Sequence, residues 1–265
     1  MADTGAIYLM EDLREAERLA EKVDPAAWVQ TYLALHLTDG IRVLDVGCGP
    51  GTIAAHVAHT NPTIQIVGLD RSSARMEAAT KAFAGLTNAA VQQGDARTLP
   101  FKNDVFDLVY TRFLLEYLAE KEQAVAEMTR VCRSGGVVLL QDLDGQLVSN
   151  YPSDPNLQAG IEEVLAGLQQ RGFDPFVGRK LYHLAYKAGL INLRVDMESY
   201  HLIAGRMDEP TRRRWQLKLD IARHSAAQVL GDRKVAALIR RFLAYLDRDD
   251  TLTWSQVFTV GGIKP

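Results

Sequence analysis

The chain has 265 residues, of which 47% are hydrophobic and 24% charged, a composition typical of a soluble globular protein with a substantial core. Its formal net charge of -3 argues against a protein that binds nucleic acid through bulk electrostatics. The two cysteines, Cys48 and Cys132, fit a reducing compartment, and the charged N-terminus lacks the features of a signal peptide. No apolar run reaches the roughly 18 residues of a membrane span, so we predict a cytoplasmic protein.

The first part of the chain predicts two helices. Apolar residues recur at helical spacing from Leu9 to Val23. Asp24 followed by Pro25 is typical of an N-cap and a first helical position, so a second helix is expected to about Leu37. Residues 1–38 are therefore predicted to form an N-terminal helical cover.

Strands and helices alternate from residue 41 onwards. Several strands are continuously apolar, which is typical of a parallel sheet covered by helices on both faces. The predicted strands span residues 41–47, 63–70, 89–96, 104–112 and 135–144.

The alternation ends after residue 150. The sequence contains no internal repeat and no low-complexity linker, so we expect a single domain over residues 1–265. Its core would comprise residues 39–204 and 251–265, and residues 205–250 would form a helical lid. Within these ranges we predict helices over 157–168, 178–190 and 209–248, and strands over 191–203 and from 252 to the end.

The segment RVLDVGCGPGT, residues 42–52, places three glycines between a buried strand and a helix. Glycine suits a turn that is tight or closely approached by a ligand, and the free amides at a helix start can bind an anionic group. The spacing of Gly47, Gly49 and Gly51 is G-x-G-x-G, whereas the dinucleotide fingerprint is G-x-G-x-x-G. The loop alone leaves open a dinucleotide, a phosphate, another small ligand or a plain tight turn.

Two aspartates end the next two predicted strands. Asp70 can accept hydrogen bonds from both hydroxyls of a ribose, although the segment DRSS also resembles a helix cap. The glycine loop and Asp70 fit NAD and other nucleosides alike. Asp95 can accept from the exocyclic amine of an adenine while the amide of Ala96 donates to a ring nitrogen, which favours an adenosine ligand.

Five segments in chain order carry a family resemblance. They resemble the successive motifs of class I S-adenosylmethionine (SAM)-dependent methyltransferases, in the small-molecule branch that includes ubiquinone and menaquinone biosynthesis enzymes. The resemblance implies a doubly wound, mostly parallel seven-stranded Rossmann-like α/β sheet whose last strand is antiparallel. N-terminal helices and a helical insertion would form a lid, SAM would be the methyl donor and S-adenosylhomocysteine the product. The segments are VLDVGCGPGT, GLD, QGDARTLPF, FDLVYTRFLLEYL and RVCRSGGVVLLQDLD.

The resemblance assigns residues to the methionine part of SAM. Gly47, Gly49 and Gly51 would hold it, and Asp45 would be linked to its amino group or brace the loop. The backbone carbonyl of Thr111, at the carboxyl end of the fourth strand, would receive the ammonium group.

A second set would hold the adenosine part. Asp70 would take the ribose hydroxyls, and Asp95 with Ala96 would read the adenine edge. Arg71 and Met76 are candidates to flank the adenine, and Met76 is equally interpreted as a residue of the helix core.

The N-terminal segment resembles the cover seen in many small-molecule members. Tyr8 and Arg18 would close over SAM, with Arg18 neutralising its carboxylate. The alternative is an amphipathic helix with an exposed arginine.

Methyl transfer from a sulfonium depends mainly on alignment of the reacting atoms and exclusion of water, with a general base for many acceptors. The candidates at the carboxyl ends of the fourth to sixth strands are Glu116, Asp142, Asp144 and His201, of which Asp144 and His201 are the predicted pair. No group of residues has convincing metal-ligand spacing, so no metal is predicted.

The acceptor is constrained by what the chain lacks. The motif D/N-P-P-Y/F of exocyclic-amine DNA methylases is absent after the fourth strand, and Cys132 lies outside a Pro-Cys pair, so nucleic acid is not expected. A roof containing Trp215, Leu219 and Phe242 predicts a small apolar or aromatic acceptor, methylated on O, N or C. The same three residues are equally interpreted as hydrophobic core. The rival hypotheses are an NAD-type oxidoreductase and a non-catalytic SAM-binding regulatory protein. Either a monomer or a homodimer is expected.

Overall fold

The computed structural model describes residues 23–265, apart from the side chains of residues 146–148. Tyr8, Arg18 and nearly all of the predicted first helix lie outside the described residues. The strands are β1 (Arg42–Val46), β2 (Gln65–Asp70), β3 (Ala89–Gln93), β4 (Phe106–Arg112), β5 (Cys132–Tyr151), β6 (Ile191–Ala204) and β7 (Leu252–Ile263). The α-helices are α1 (Pro25–Tyr32), α2 (Thr52–Thr60), α3 (Ser73–Ala82), α4 (Lys121–Val131), α5 (Pro155–Gln169), α6 (Leu181–Lys187), α7 (Glu209–Leu230) and α8 (Asp232–Leu246). Two 3₁₀-helical turns span Leu115–Tyr117 and Gly178–Lys180.

The strands form one seven-stranded sheet in the order β3-β2-β1-β4-β5-β7-β6. Strands β1 to β5 pair in parallel, whereas β7 runs antiparallel to both β5 and β6. The predicted doubly wound α/β fold, with a mostly parallel sheet and an antiparallel last strand, is confirmed. Asp45 pairs in register with Gly68 of β2 and Tyr110 of β4, so these three strands end at the same edge.

Polar side chains fix the starts of several helices. Asp24 accepts a hydrogen bond from the amide of Ala27 at 3.0 Å, and Pro25 occupies the first helical position of α1, as predicted. Ser72 caps α3 by accepting from the amide of Arg75. The direction in which α3 leaves the end of β2 is thereby fixed beside Asp70.

Helices cover both faces of the sheet. On one face α4 and α6 bury residues such as Met128 and Leu184, and on the other α1 and α2 bury Trp28 and Val57. A third buried cluster joins α5, α7 and α8, with Phe242 among its members. We call these three helices the roof. The predicted division into cover, core and lid stays a prediction, and α5 joins the roof although it precedes residue 205.

The largest differences from the predicted elements lie in the roof and in β5. The helix expected over 209–248 is broken into α7 and α8 at Gly231, whose φ of 80° is left-handed and cannot continue a helix. Strand β5 continues to Tyr151 rather than ending at residue 144, because its register with β7 shifts after Asp144 and pairing resumes at Ser149. No helix in the described part of the chain is long and apolar enough to cross a membrane.

Candidate active site

A cavity of about 220 Å³ lies between the carboxyl edge of the sheet and the roof. One end is bounded by the glycine loop after β1 and by Asp70 at the end of β2. The other end is bounded by apolar side chains of α5, α7 and α8. The cavity lies where open α/β sheets hold their ligands, beyond the carboxyl ends of the strands.

The glycine loop is held against the end of β2. The amides of Gly47 and Cys48 both donate to the carbonyl of Leu69, at 2.7 and 3.0 Å. Gly47 has a φ of 77°, and a Cβ there would lie 3.0 Å from a methyl carbon of Leu114. The cavity wall includes Gly47 and Gly49, as predicted for residues that a ligand approaches closely.

Gly51 has a different neighbourhood. A Cβ on this residue would lie 2.9 Å from a ring carbon of Phe83 and 3.1 Å from the Cβ of Ala79. Its φ of 76° also lies in the left-handed region. The cavity wall does not include Gly51. The structure therefore gives this glycine a packing role, which is to let the start of α2 approach α3; its predicted contact with the methionine part of SAM stays a prediction.

Asp70 joins the loop to the start of α3. Its Oδ2 accepts from the amide of Gly49 at 3.0 Å, and its Oδ1 accepts from the amide of Ser72 at 2.9 Å. Arg75, whose role the sequence did not reveal, places a guanidinium nitrogen 3.7 Å from Oδ1 and also lines the cavity. A carboxylate has about four acceptor positions, so Asp70 retains capacity for ligand hydroxyls.

Asp45 is a buried carboxyl group in the cavity wall. Its Oδ2 accepts from the hydroxyl of Tyr110 at 2.8 Å. Burial raises the pKa of Asp45 to about 7, and the charge of Asp70 adds to the effect, while the Tyr110 hydrogen bond and Arg112 oppose it. A cationic ligand group beside Asp45 would stabilise its charged form.

Arg112 is a second basic residue of the wall that sequence reasoning missed. Its guanidinium lies 4.0 Å from the ring centroid of Phe113, and its Nε donates to Gln141 at 3.1 Å. Gln141 also accepts from the indole of Trp28 at 2.7 Å. Burial lowers the pKa of Arg112, while neighbouring Tyr200, Asp142 and Asp45 oppose that shift. The sequence did offer one signal for Arg112. It is the last residue of β4 and directly follows Thr111, which was predicted to contact SAM.

Several predicted cofactor residues lie outside the cavity wall. Thr111 is fully buried and donates its hydroxyl to the carbonyl of Val46 at 2.7 Å. Met76 is buried in α3 and Arg71 is exposed at its start. Their roles, and that of the Thr111 carbonyl, stay predictions.

The carboxylate of Asp95 is held by Arg97 through both of its oxygens, with Nη2 at 2.6 Å from Oδ2. This pairing lowers the pKa of Asp95. Ala96 is buried in the cluster that includes Leu69 and Leu99. Reading of an adenine edge by Asp95 and Ala96 therefore stays a prediction, in which Asp95 would accept through lone pairs that Arg97 leaves available.

The predicted catalytic pair is not brought to the cavity. Asp144 is buried and receives Arg179, with Nη2 to Oδ1 at 2.6 Å and the Arg179 amide to Oδ2 at 2.8 Å. His201 lies between Tyr200 and Trp215, with ring centroids at 4.2 and 5.0 Å. Neither Asp144 nor His201 belongs to the cavity wall. The sequence placed both at the correct edge, but their side chains are engaged in packing and an ion pair instead. Within the described residues, no group of three or more His, Cys, Asp and Glu is placed to hold a metal.

A family comparison agrees with this geometry. The sequence profile of a family described as a methyltransferase domain matches residues 37–189, which is more than half of the chain. The chain belongs to the class I SAM-dependent methyltransferases. SAM is therefore its methyl donor, as the sequence motifs predicted.

Three curated relatives of this methyltransferase differ in how much of it they match. An uncharacterised 37.1 kDa protein in a Streptomyces fradiae transposon is 33% identical over 158 residues, which are 59% of this chain and only 45% of that protein. An uncharacterised methyltransferase of Schizosaccharomyces pombe is 28% identical over 204 residues, 73% of this chain and 71% of its own. A demethylmenaquinone methyltransferase of Staphylococcus aureus is 33% identical over 171 residues, 59% of this chain and 70% of its own.

Two solved structures share the fold of this methyltransferase. A phosphoethanolamine N-methyltransferase of Haemonchus contortus, in complex with phosphomonomethylethanolamine and S-adenosylhomocysteine, has a TM-score of 0.58 and 17% identity. The likeness covers 91% of this chain and 52% of that chain. The [4+2]-cyclase SpnF has a TM-score of 0.59 and 19% identity, covering 98% of this chain and 95% of its own.

The residues present in this methyltransferase fit SAM. Asp70 has acceptor positions left for ribose hydroxyls, and Asp45 is a buried carboxyl group whose charge a cation would stabilise. Gly47 and Gly49 line the cavity and present no side chain there, so a ligand can approach the loop backbone. These groups bound the polar end of the cavity, next to the apolar roof.

Proposed function

We propose that this methyltransferase transfers the methyl group of SAM to an O, N or C atom of a small apolar or aromatic molecule. The observation that carries the proposal is that a single cavity is lined both by Asp45, Gly49 and Asp70 and by the apolar side chains of the roof. A donor at the polar end and an acceptor at the apolar end would share one enclosed space.

The chemistry of the roof supports an apolar acceptor. Most of its cavity-lining side chains are aliphatic or aromatic and come from three separate helices, beside the polar Lys218, Arg223 and Ser225. Burial of an apolar molecule against the apolar side chains is favourable at about 25 cal/mol per Å². The apolar residues that line this side of the cavity include Ile161, Leu165, Leu168, Leu219, Leu238 and Phe242. The name of the Staphylococcus aureus relative, a demethylmenaquinone methyltransferase, supports an aromatic or quinone-like acceptor.

In the proposed mechanism this chain orients the reacting molecules and excludes water from them. When bound, SAM supplies an electrophilic methyl group on a positively charged sulfur. The loop from Gly47 to Gly49 and the carboxylates of Asp45 and Asp70 would bind and orient it. The roof would exclude water and hold the acceptor in line, which is the largest contribution expected of an enzyme in such a transfer.

A labelled-methyl assay tests the proposal. The full chain is incubated with methyl-labelled SAM and three acceptor groups, namely phenols and quinols, small polar amines, and oligonucleotides, and products are identified by mass spectrometry. We expect label in an apolar or aromatic compound. Labelling of polar amines or oligonucleotides alone would contradict the proposed acceptor class.

A variant in the cavity wall and an exposed control variant test where the acceptor binds. Ala226→Trp fills the roof side of the cavity and is expected to raise KM for the acceptor while SAM affinity stays unchanged. Glu163→Gln changes an exposed residue of α5 and is the control. If Ala226→Trp left the acceptor KM unchanged, the acceptor would not occupy the roof.

Further predictions accompany this proposal. We propose a cytoplasmic location, a small-molecule acceptor rather than nucleic acid, and either a monomer or a homodimer. The oxidoreductase and non-catalytic alternatives make opposite predictions for the same assay. NAD binding without SAM binding would favour the first, and SAM binding without labelled product from any acceptor group would favour the second.

A further inference from the structure

Glu116 is a buried acidic residue that enters the cavity from the sheet edge. After β4 the chain turns at Phe113, whose φ of 55° is left-handed, and forms the 3₁₀-helical turn Leu115–Tyr117. Glu116 lies in this turn, is 1% exposed and belongs to the cavity wall. The turn is held in place because the amide of Asp174 donates to the carbonyl of Glu116 at 2.7 Å.

The Asp142 side chain contacts the backbone of Glu116. Its Oδ2 accepts from the amide of Glu116 at 3.1 Å, and its Oδ1 accepts from the amide of Leu143 at 2.8 Å. Burial raises the pKa of Asp142 well above its ordinary value, and the negative charge of Glu116 raises it further. Two such neighbours do not both ionise readily, so one proton is shared between this pair of carboxyl groups over a wide pH range. A catalytic role for Glu116 requires that the charge lies on Glu116 and the proton on Asp142.

Several other charged groups belong to the described cavity wall. Asp45 and Asp70 belong to the donor end, where Tyr110 and the loop amides bind them. The ammonium of Lys218 lies 4.8 Å from the ring centroid of Trp215 in the roof. Glu116 is the third carboxylate of the described cavity wall, after Asp45 and Asp70. The basic groups that share the wall with it are Arg75, Arg112, Lys218 and Arg223.

We propose that Glu116 is the catalytic base of this enzyme and that Asp142 is its positioning residue. The inference rests on the proposed function and narrows the acceptor to one whose nucleophile carries an O–H or N–H proton. This nucleophile gives its proton to a carboxylate oxygen of Glu116 and forms a bond to the methyl carbon. The carbon–sulfur bond of the donor breaks, its electron pair stays on sulfur, and the protonated Glu116 later returns the proton to solvent.

The first test measures the protonation states of the Glu116 and Asp142 carboxyl groups and needs no acceptor. Carboxyl-carbon NMR signals of Glu116 and Asp142 are assigned with Glu116→Gln and Asp142→Asn, then followed from about pH 4 to about pH 9 in the full chain. The proposal expects an ionised Glu116 and a protonated Asp142 near neutral pH. A protonated Glu116 near neutral pH would overturn it, because a protonated carboxyl group cannot accept a proton.

The second test uses the acceptor found in the labelled-methyl assay. Glu116→Gln keeps the size of the side chain and is expected to lower kcat by about 10²–10⁴-fold, the usual contribution of a general base. SAM affinity and the acceptor KM should change by less than about threefold, because ground-state binding is kept. Unchanged kcat in Glu116→Gln would overturn the proposal, as would a loss that appears only in KM.

Asp142→Asn separates positioning from a purely structural role. Loss of the neighbouring carboxyl group is expected to move the acidic limb of the kcat–pH profile, whereas a merely structural residue would lower activity without moving the limb. Glu163→Gln is the exposed control for the whole series. If no SAM binds to the wild-type chain, the proposed function fails, while the carboxyl titration still decides the state of Glu116.

Discussion

The carboxylate of Asp70 links the glycine loop to the start of α3, accepting from the amide of Gly49 at 3.0 Å and from that of Ser72 at 2.9 Å. The same side chain is 5% exposed and lines the cavity. Because Asp70 both holds the loop in place and lines the cavity, we expect its substitution to change the affinity of the site for SAM.

Asp70→Ala is therefore expected to weaken SAM binding by about 1.5–3 kcal/mol, the range for a hydrogen bond to a charged group. Titration calorimetry on the full chain measures it. Glu77→Gln, an exposed substitution in the neighbouring helix α3, is the control and should leave affinity unchanged. An Asp70→Ala variant with wild-type affinity would remove this residue from the proposed ribose site.

Gly51→Ala tests whether Gly51 is a packing glycine. The new Cβ would be strained at a φ of 76° and would lie 2.9 Å from the Phe83 ring, so we expect a loss of about 2–4 kcal/mol in the free energy of unfolding. Gly85→Ala is the matched control, because Gly85 has a φ of 83° but open space around its Cβ position. It should lose about 1–2 kcal/mol, from backbone strain alone. Equal losses measured by denaturant unfolding would show that contact with α3 contributes nothing.

Which residues meet at the carboxyl edge of the sheet could be predicted from the sequence, for a physical reason. Asp45 is the next-to-last residue of β1, and Asp70 and Arg112 are the last residues of β2 and β4. Parallel pairing brings these strand ends to one edge of the sheet. The bracing of the loop by Asp70 follows from that geometry. Strand-end positions therefore carried most of what could be inferred about the donor site.

The acceptor side depends on tertiary contacts that no local pattern encodes. Helix α5 packs closely against α8 in the roof, because Gly160 has no side chain there. A Cβ on Gly160 would lie 2.7 Å from a methyl carbon of Leu238. Lys218 belongs to the cavity wall although it stands on the mainly apolar side of α7. Asp144 and Glu116 were both candidates from the sequence because of their positions at strand ends, and only the structure shows that Arg179 binds Asp144.

The buried carboxyl group of Asp45 predicts a pH-dependent affinity for SAM. Its pKa is raised to about 7, so a site that takes up a cation beside Asp45 must first release this proton. Affinity should rise roughly fivefold to tenfold between about pH 6 and about pH 7.5, and level off above. Asp45→Asn should bind more weakly and lose this dependence. Calorimetry at the two pH values measures both, and a flat wild-type profile would contradict the placement of a cation beside Asp45.

The same raised pKa makes a prediction for the ligand-free protein. The unfolded chain releases the Asp45 proton near about pH 4, whereas the folded chain keeps it to about pH 7, so the stabilising contribution is present below about pH 4 and is lost between these values. Asp45→Asn should therefore flatten the fall in unfolding free energy over this range. Urea unfolding at several pH values measures the effect, and identical pH profiles for both proteins would show that Asp45 is already ionised in the fold.

The ion pair between Asp144 and Arg179 allows a test of whether Asp144 has a structural or a catalytic role. Asp144 is 4% exposed and binds the guanidinium and the amide of Arg179, so Arg179→Ala leaves a buried carboxylate with fewer partners. We expect a loss of about 1–3 kcal/mol in unfolding free energy, discounted because the Arg179 side chain itself is largely exposed. Activity per folded molecule should remain at the wild-type level, in contrast to Glu116→Gln. If Asp144→Asn abolished turnover while unfolding free energy and SAM affinity were unchanged, Asp144 would be the base and the assignment to Glu116 would be wrong.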